Sequence, residues 1–143
     1  QALDEQKAQC PFCKIVKGDL PSTKVYEDKR FLAFLDLNPI NKGHVLVIPK
    51  DHHNTFLNTP VDLSKDLLAL VKTLAPAVMT ASGANGFNLL VNNGKTAGQL
   101  VDHVHFHIIP RLKDDNLHHW PGKQYLDNEM ELFSKKIIKA LEK

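Results

Sequence analysis

The stretch His103-Val-His-Phe-His-Ile-Ile109 sets three histidines at alternate positions of the chain. In a β-strand, successive side chains point to opposite faces, so His103, His105 and His107 would share one face while apolar residues line the other. A solvated face normally mixes Lys, Glu, Thr and Ser, and three imidazoles in register bring no packing advantage. The pattern therefore predicts a strand with a functional face.

Further strand-forming runs precede this stretch. Each is short and rich in β-branched or aromatic residues, and Pro49 and Pro110 are each expected to end a strand. The predicted strands are residues 24–27, 30–36, 44–48, 87–91 and 103–109. A turn at residues 28–29 separates the first two, which are expected to pair as a β-hairpin.

Two helices are predicted among these strands. Thr59-Pro60-Val61-Asp62 offers an N-cap hydroxyl, a proline suited to the first turn and an acid, and apolar residues then recur at helical spacing up to Val78. Pro76 is expected to kink or break this helix. Residues 128–141 predict a closing helix. The order of elements predicts an α+β fold, in which a five-stranded antiparallel sheet carries the long helix and the C-terminal helix on one face.

Length, composition and charge are those of an ordinary globular chain. The 143 residues suit one domain, 43% of them are hydrophobic and 24% are charged. No apolar run approaches the ~20 residues of a membrane span, and a net charge of +2 without a basic run argues against nucleic acid as a partner. Cys10 and Cys13 are too few for a disulfide framework, so a cytoplasmic location without membrane association is expected.

Two kinds of chemistry fit alternate histidines. Positions two apart in a strand lie ~6.6 Å from each other, so their imidazoles can converge on one catalytic metal ion. Alternatively, one imidazole acts as a nucleophile while its neighbours orient it and bind phosphate oxygens. The preceding residues 92–99, Asn-Asn-Gly-Lys-Thr-Ala-Gly-Gln, offer backbone N–H groups and neutral amide donors. Such a loop suits an oxyanion better than a metal and favours the nucleophile.

The motif and its surroundings resemble a known family. Residues 98–109, Gly-Gln-Leu-Val-Asp-His-Val-His-Phe-His-Ile-Ile, are similar to the His-φ-His-φ-His-φ-φ signature of the histidine-triad (HIT) superfamily, in its Hint-like branch. Four further blocks follow the family's order: Cys-Pro-Phe-Cys-Lys-Ile-Val-Lys-Gly at 10–18, Phe-Leu-Ala-Phe-Leu-Asp at 31–36, Gly-His-Val-Leu-Val-Ile-Pro-Lys at 43–50 and Phe-Asn-Leu-Leu-Val-Asn-Asn-Gly at 87–94. The resemblance implies a HIT-like fold in a single domain, 1–143, with a core at about 10–111 and a C-terminal extension at 112–143.

The resemblance also implies metal-free nucleotidyl transfer on a histidine, with no catalytic cofactor. By position, His105 is the nucleophile that attacks the α-phosphorus of a nucleotide, giving a covalent nucleotidyl-imidazole that water cleaves. His107 and His44 match positions that orient the nucleophile and contact phosphate, and His103 completes the triad. The implied phosphate-binding residues are Asn92, Gly98 and Gln99.

The nucleoside is assigned by the same resemblance to the early hairpin. Asp36 falls where the family holds the ribose hydroxyls, and its two acceptor oxygens support this. The implied base-pocket residues are apolar: Phe12, Ile15, Phe34 and Leu37. Apolar side chains in such elements are as often plain core, so both roles stay open for them.

Residues 10–13, Cys-Pro-Phe-Cys, have the two-residue gap of half a structural zinc site. Some bacterial-type members of the family complete such a pair with two histidines. The implied Zn²⁺ ligands are Cys10, Cys13, His52 and His103. His53 is an alternative to His52. The site would cross-link the N-terminal segment to the sheet and orient the strand that carries His105.

Two positions depart from the family's pattern. Leu100 lies where relatives usually carry a Ser or Thr hydroxyl that is thought to assist the phosphate or the leaving group. This puts efficient phosphoramidate cleavage in doubt, because Leu neither donates nor accepts a hydrogen bond. Asp102 adds an unusual charge beside the triad.

Four functions are expected, in order of preference. The first is hydrolysis of purine nucleoside phosphoramidates, and the second is hydrolysis of diadenosine polyphosphates, which Pro110-Arg111 favours mildly. The third is a nucleotide-binding or scaffold protein with little catalysis, and the fourth is a metallohydrolase. Family analogy adds a purine nucleotide as ligand and a homodimer whose sheet continues across the subunits. Residues 118–121, His-His-Trp-Pro, are expected at the surface, near the partner subunit's active site in Hint-like relatives.

Overall fold

The protein is built around one antiparallel sheet of five strands. The computed structural model describes residues 2–142, with side chains for residues 5–142, so the two ends of the predicted domain 1–143 lie outside it. The strands are β1 (Lys24–Glu27), β2 (Phe31–Leu35), β3 (Val45–Pro49), β4 (Gly86–Val91) and β5 (Phe106–Arg111). The helices are α1 (Ala2–Gln9), α2 (Pro11–Lys17), α3 (Val61–Ser82) and α4 (Glu129–Leu141). The strand order is β1-β2-β3-β5-β4, which confirms the predicted α+β fold with its five-stranded sheet.

Helices cover both faces of the sheet, whereas the sequence suggested one. On one face, α3 packs Leu67 and Val71 against Phe31 and other alternate strand residues. On the opposite face, α2 packs Phe12 against Leu32 and its neighbours. Strands β2 and β3 are buried on both faces and therefore read as continuous apolar runs. The short helix α2 escaped prediction because seven residues are too few to show a helical period.

Strand β5 begins at Phe106 and continues through Pro110 to Arg111. His103 and His105 therefore precede the strand, and His107 lies within it, which corrects the predicted range 103–109. The two central strands pair from Val45 opposite Ile108 to Val47 opposite Phe106 and no further. Pro49 and Pro110 lie beyond this pairing, so neither has to donate to a ladder between β3 and β5. In the sheet they stand opposite Phe31 of β2 and Phe87 of β4.

Helix α3 runs from Val61 to Ser82 without a break at Pro76. The proline ring removes one hydrogen bond to the carbonyl of Lys72, and both residues are exposed, so water can bind that carbonyl. Within the described part of the chain, no helix combines the length and the apolar character needed to cross a membrane.

Helix α4 forms as predicted but does not pack on the sheet. None of its described residues is buried. Its exposed apolar side chains are Met130, Leu132, Phe133, Ile137, Ile138 and Leu141. The helices that pack against the two faces of the sheet are α2 and α3.

Candidate active site

A buried group of two thiols and two imidazoles links α2 to the loops beside the sheet. Its members are Cys10, Cys13, His52 and His103, all 7% exposed or less. Cys10 is the N-cap of α2, and Cys13 N donates to its Sγ at 3.3 Å, which sets both sulfurs on the same side. His103 Nδ1 lies 3.4 Å from Cys10 Sγ and 3.6 Å from Cys13 Sγ. His52 Nδ1 lies 3.3 Å from Cys13 Sγ.

Hydrogen bonds aim a lone pair of each imidazole at the sulfurs. His103 Nε2 donates to Pro49 O at 2.8 Å, and His52 Nε2 donates to Asn54 Oδ1 at 2.7 Å. A neutral imidazole has one N–H, so Nδ1 of each ring is free to bind a cation. Two thiols and two such nitrogens form a donor set that Zn²⁺ prefers, and the group can hold a metal ion. Of the two histidines considered, His52 belongs to this group and His53 does not.

The main chain of His103 holds His105. His105 Nδ1 donates to His103 O at 2.7 Å, so the proton sits on Nδ1 and Nε2 presents a lone pair. Phe12 packs edge-on against both imidazoles, with ring centroids 5.1 Å from His105 and 5.9 Å from His103. This is the tautomer that attack through Nε2 requires.

A second chain of hydrogen bonds runs through His44 and His107. Ile40 N donates to His44 Nδ1 at 3.1 Å, so His44 carries its proton on Nε2 and donates it to His107 Nδ1 at 2.9 Å. His107 then carries its proton on Nε2, and this buried atom has no hydrogen-bond partner among the described residues. Asp36 Oδ2 lies 3.6 Å from His44 Nε2. His107 thus offers an unused donor beside His105, whose ring centroid is 5.0 Å away.

Burial keeps these histidines neutral and the Cys13 thiol protonated. It lowers the pKa of His107 to about 4, and it lowers the pKa values of His44 and His105 despite the nearby Asp36 carboxylate. Burial also raises the pKa of Cys13 to about 12, with a smaller contribution from its hydrogen bond to Cys10. At neutral pH the imidazoles are therefore uncharged, as a nucleophile must be.

His105 and His107 line a pocket of about 450 Å³. The predicted nucleoside-binding residues all line it: Phe12, Ile15, Phe34, Asp36 and Leu37. His105, His107 and Gly98 line the same pocket, whereas the other predicted catalytic and phosphate-binding residues do not: His44, His103, Asn92 and Gln99. Leu37 is 87% exposed, which excludes a plain core role for it, whereas Phe12 and Phe34 serve both the core and the pocket wall.

The predicted phosphate-binding residues differ in what they can do. Gly98 lines the pocket, but Gln99 is 3% exposed and its amide is committed. Gln99 Oε1 accepts from Gly94 N at 2.8 Å, and Nε2 donates to Asn54 O at 2.6 Å. Asn92 Nδ2 donates to Gly98 O at 3.4 Å. The side chain of Gln99 therefore shapes the loop instead of facing a phosphate, because a buried amide must satisfy its own hydrogen bonds. Asn92 is half-buried, and its role in phosphate binding stays a prediction.

Two of the three triad histidines belong to separate groups of possible metal ligands, and His105 belongs to neither. His103 lies with the thiols, whereas His107 joins His44 and Asp36 in a second set that is close enough to hold a metal ion. Among the described residues, the triad does not converge as one ligand set, which removes the basis for a metallohydrolase built on it. Arg111 does not line the pocket, and its guanidinium is bound to Asp115 and Asn88. Its charge therefore gives no support to a dinucleoside polyphosphate substrate.

Sequence reasoning missed the groups that fix the imidazoles. Pro49 O and Ile40 N are main-chain atoms, so any residue type at position 49 supplies the carbonyl and any except proline at position 40 supplies the N–H. Asn54 orients His52 with its side chain and binds Gln99 with its carbonyl, but a lone Asn two residues after a His carries no recognisable signal.

Comparison with known proteins points to one family. The family model described as HIT domain matches residues 17–114. The adenosine 5'-monophosphoramidase hnt1 of Schizosaccharomyces pombe is 48% identical over 106 residues, which cover 74% of this chain and 77% of that protein.

Solved structures share the fold over nearly the whole chain. The crystal structure of SMU.412c from Streptococcus mutans matches with a TM-score of 0.87 and 40% identity, covering 93% of this chain and 85% of that chain. A zinc-bound histidine triad family protein from Mycobacterium smegmatis matches with a TM-score of 0.74 and 34% identity, covering 94% of this chain and 99% of that chain.

Proposed function

We propose that this chain, which belongs to the HIT domain family, is a nucleotide hydrolase that cleaves purine nucleoside phosphoramidates at the α-phosphate. One observation carries the proposal: His105 presents an unprotonated Nε2 in the same pocket as Asp36 and the aromatic Phe34. The name of the Schizosaccharomyces pombe relative, adenosine 5'-monophosphoramidase, supports the choice of substrate.

The reaction has two steps at His105. Nε2 attacks the α-phosphorus and forms a P–N bond while the bond from phosphorus to the leaving amine breaks, and the amine takes a proton from solvent. The hydrogen bond from Nδ1 to His103 O stabilises the positive charge on the nucleotidyl-imidazole. Water then attacks phosphorus, the bond to Nε2 breaks, and a proton returns to solvent. His105 is thereby restored as a neutral imidazole.

His107 and His44 support this chemistry without reacting. The unpartnered Nε2–H of His107 donates to a non-bridging phosphate oxygen, and His44 fixes the tautomer that makes this possible. The Nε2–H of His107 and the bond from His44 that fixes it are in place before the substrate arrives. They therefore stabilise the transition state without reorganisation.

The purine lies in the apolar part of the pocket. The proposed base-pocket residues are Phe12, Ile15, Phe34 and Leu37. Asp36 accepts hydrogen bonds from the ribose hydroxyls. Its Oδ1 already accepts from Asn38 N at 2.9 Å, which fixes the orientation of the carboxylate.

We also propose that the cysteine–histidine group holds a structural Zn²⁺ ion. The converging lone pairs of His52 and His103 support this, as does the zinc-bound relative from Mycobacterium smegmatis. The ion would cross-link α2 to the sheet, and free thiols at Cys10 and Cys13 suit a reducing cytoplasm. Metal analysis of protein purified without added zinc should find about one ion per chain and a clear loss in Cys10→Ser. A metal-free native protein would contradict the site.

A homodimer is proposed through β4, which is an edge strand of the sheet. Phe87 and Leu89 on this strand are 39% and 43% exposed, and Leu68 of α3 is 38% exposed. An unpaired edge flanked by apolar side chains is a template for pairing with a second copy.

The central experiment measures AMP release from an adenosine 5'-phosphoramidate and from diadenosine tetraphosphate. We expect faster release from the phosphoramidate, an adenylylated peptide that contains His105, and a loss of about 10³-fold or more in His105→Ala. His53→Ala, at a histidine outside both the pocket and the cysteine–histidine group, serves as the matched histidine control. Wild-type turnover by His105→Ala would refute the mechanism, and AMP binding with neither turnover nor adduct would identify a binding protein instead.

A further inference from the structure

A second, smaller groove adjoins the pocket at Leu100. Its volume is about 250 Å³, and it shares Pro11, Leu100 and Val101 with the pocket wall. The other wall residues are Gln6, Gln9, Cys10 and Asp102. Because the two cavities share these wall residues, the groove lies next to the pocket that contains His105.

The walls of this groove carry one formal charge, which is negative. Asp102 is exposed, and it is the one Asp, Glu, Lys or Arg among the described wall residues. Lys7, a cation on the neighbouring α1, acts on the thiol of Cys13 and does not line the groove. The groove therefore favours a cationic group and disfavours an anionic one.

Leu100 and Asp102 lie two residues apart on the chain segment that leads to His105. Three residues of chain span at most about 11 Å, so the backbone of Asp102 lies within that distance of His105. Leu100 is 93% exposed and lines both cavities, so it offers an apolar surface at their junction. A short aliphatic chain would lie against Leu100 with its far end at the carboxylate.

We propose that this groove is the leaving-group subsite, and that Asp102 directs it toward phosphoramidates whose leaving amine carries a second, positively charged amino group. The inference rests on the proposed phosphoramidase function and adds the identity of the leaving group to it. In the first step the bond from phosphorus to one nitrogen of the diamine breaks, and that nitrogen takes a proton from solvent. The second, ammonium end takes no part in bond breaking and pairs with Asp102 while the substrate is bound.

The test compares three AMP phosphoramidates whose leaving amines share a five-carbon chain. The leaving amines are pentylamine, 1,5-diaminopentane and 6-aminohexanoate, which end in a methyl, an ammonium and a carboxylate group. We expect kcat/KM for the diamine conjugate to exceed that for the pentylamine conjugate about three- to fivefold, as for one exposed ion pair, with the carboxylate conjugate slowest. In Asp102→Asn the ratio of diamine to pentylamine should fall toward one. High salt should reduce it as well.

Asp114→Asn is the matched control, because Asp114 is an exposed aspartate that lines neither cavity. It should keep the wild-type ratio. Equal turnover of all three conjugates by the wild type would overturn the inference and leave the proposed function standing. A diamine preference that persists in Asp102→Asn would also overturn it. No turnover of any conjugate would refute the proposed function itself.

Discussion

His103 serves two neighbours with different parts of one residue. Its imidazole faces the sulfurs of Cys10 and Cys13, whereas its carbonyl accepts the proton of His105 Nδ1. The side chain does not line the pocket, so in the proposed reaction His103 would position His105 without touching substrate. The sequence placed His103 in both the catalytic and the metal set, and in the structure different atoms of His103 contact His105 and the two thiols.

This division predicts different outcomes for two alanine variants. His103→Ala should lose bound metal and lower kcat about 10- to 100-fold with little change in KM, because the carbonyl that orients His105 remains but its support is weaker. His105→Ala should lose far more. Metal content and steady-state kinetics on one phosphoramidate measure both effects. If His103→Ala were as inactive as His105→Ala, the imidazole of His103 would act directly in the reaction.

His107 should make stability depend on pH in a defined window. Its folded pKa of about 4 lies below the ordinary value of 6.5 because burial disfavours the charged ring. The native state therefore binds fewer protons than the unfolded state, and stability is lost as the pH falls below 6.5 toward 4. After a reduction for solvent screening, we expect the loss from His107 to reach about 1 kcal/mol at pH 5.

Urea unfolding at pH 7 and pH 5 measures this loss when wild type is compared with His107→Asn. The variant keeps a hydrogen-bonding side chain opposite His44 but cannot titrate. The free energy of unfolding should fall further in wild type than in the variant. An equal fall in both proteins would show that other groups control the acid sensitivity.

At the scale of elements, the turn into β3 depends on Gly43. Its φ is +98°, and a Cβ atom there would collide with Ser82 Oγ at the end of α3. Gly18 also has a positive φ, +89°, but open space around its Cα. Both alanine variants carry the backbone penalty of about 1–2 kcal/mol, and Gly43→Ala should lose about 1 kcal/mol more because Ser82 must give up its bond to Lys42 O.

Denaturant unfolding of Gly43→Ala and Gly18→Ala measures the difference. Adding Ser82→Ala should recover most of the extra loss at Gly43, since the colliding hydroxyl is then absent. Equal stability of the two single variants would mean that Ser82 at the end of α3 moves aside without lowering the free energy of unfolding.

Local patterns predicted most elements, and contacts between distant parts of the chain explain the misses. The hairpin, the strand before Lys50 and the start of α3 follow from residues close to each other in sequence. The start of β5 at Phe106 depends instead on where β3 offers a partner, and the unbroken α3 depends on Lys72 facing water. The division into a core at about 10–111 and an extension at 112–143 stays a prediction, which limited proteolysis would test.

For the site, residue types were predictable and their partners were not. His105 and Asp36 come together in one pocket as expected, because the motif fixes their elements. The sequence could not predict that the side-chain amide of Gln99 binds the main chain of Gly94 and Asn54, since a buried amide and an exposed one look alike in sequence. The same holds for the groups that set each imidazole tautomer.

At the scale of the whole molecule, α4 and the edge of β4 leave apolar surface exposed. We expect size-exclusion chromatography with light scattering to give the mass of a dimer. Leu89→Lys should shift it to a monomer, because a charge on β4 would be buried against the partner. Leu57→Lys is the matched control, at a side chain that is already 88% exposed. A monomeric wild type would refute the proposed assembly.

The hydrogen bond from His105 to the carbonyl of residue 103 also bears on how such a protein can change over generations. Every amino acid brings the same carbonyl, so a mutation at position 103 can abolish metal binding and still hold the proton of His105 on Nδ1. The proposed metal binding and the proposed nucleophilic chemistry would therefore depend on one codon and still be separable. A descendant of this chain can lose its Cys10 and Cys13 pair and keep a reactive histidine.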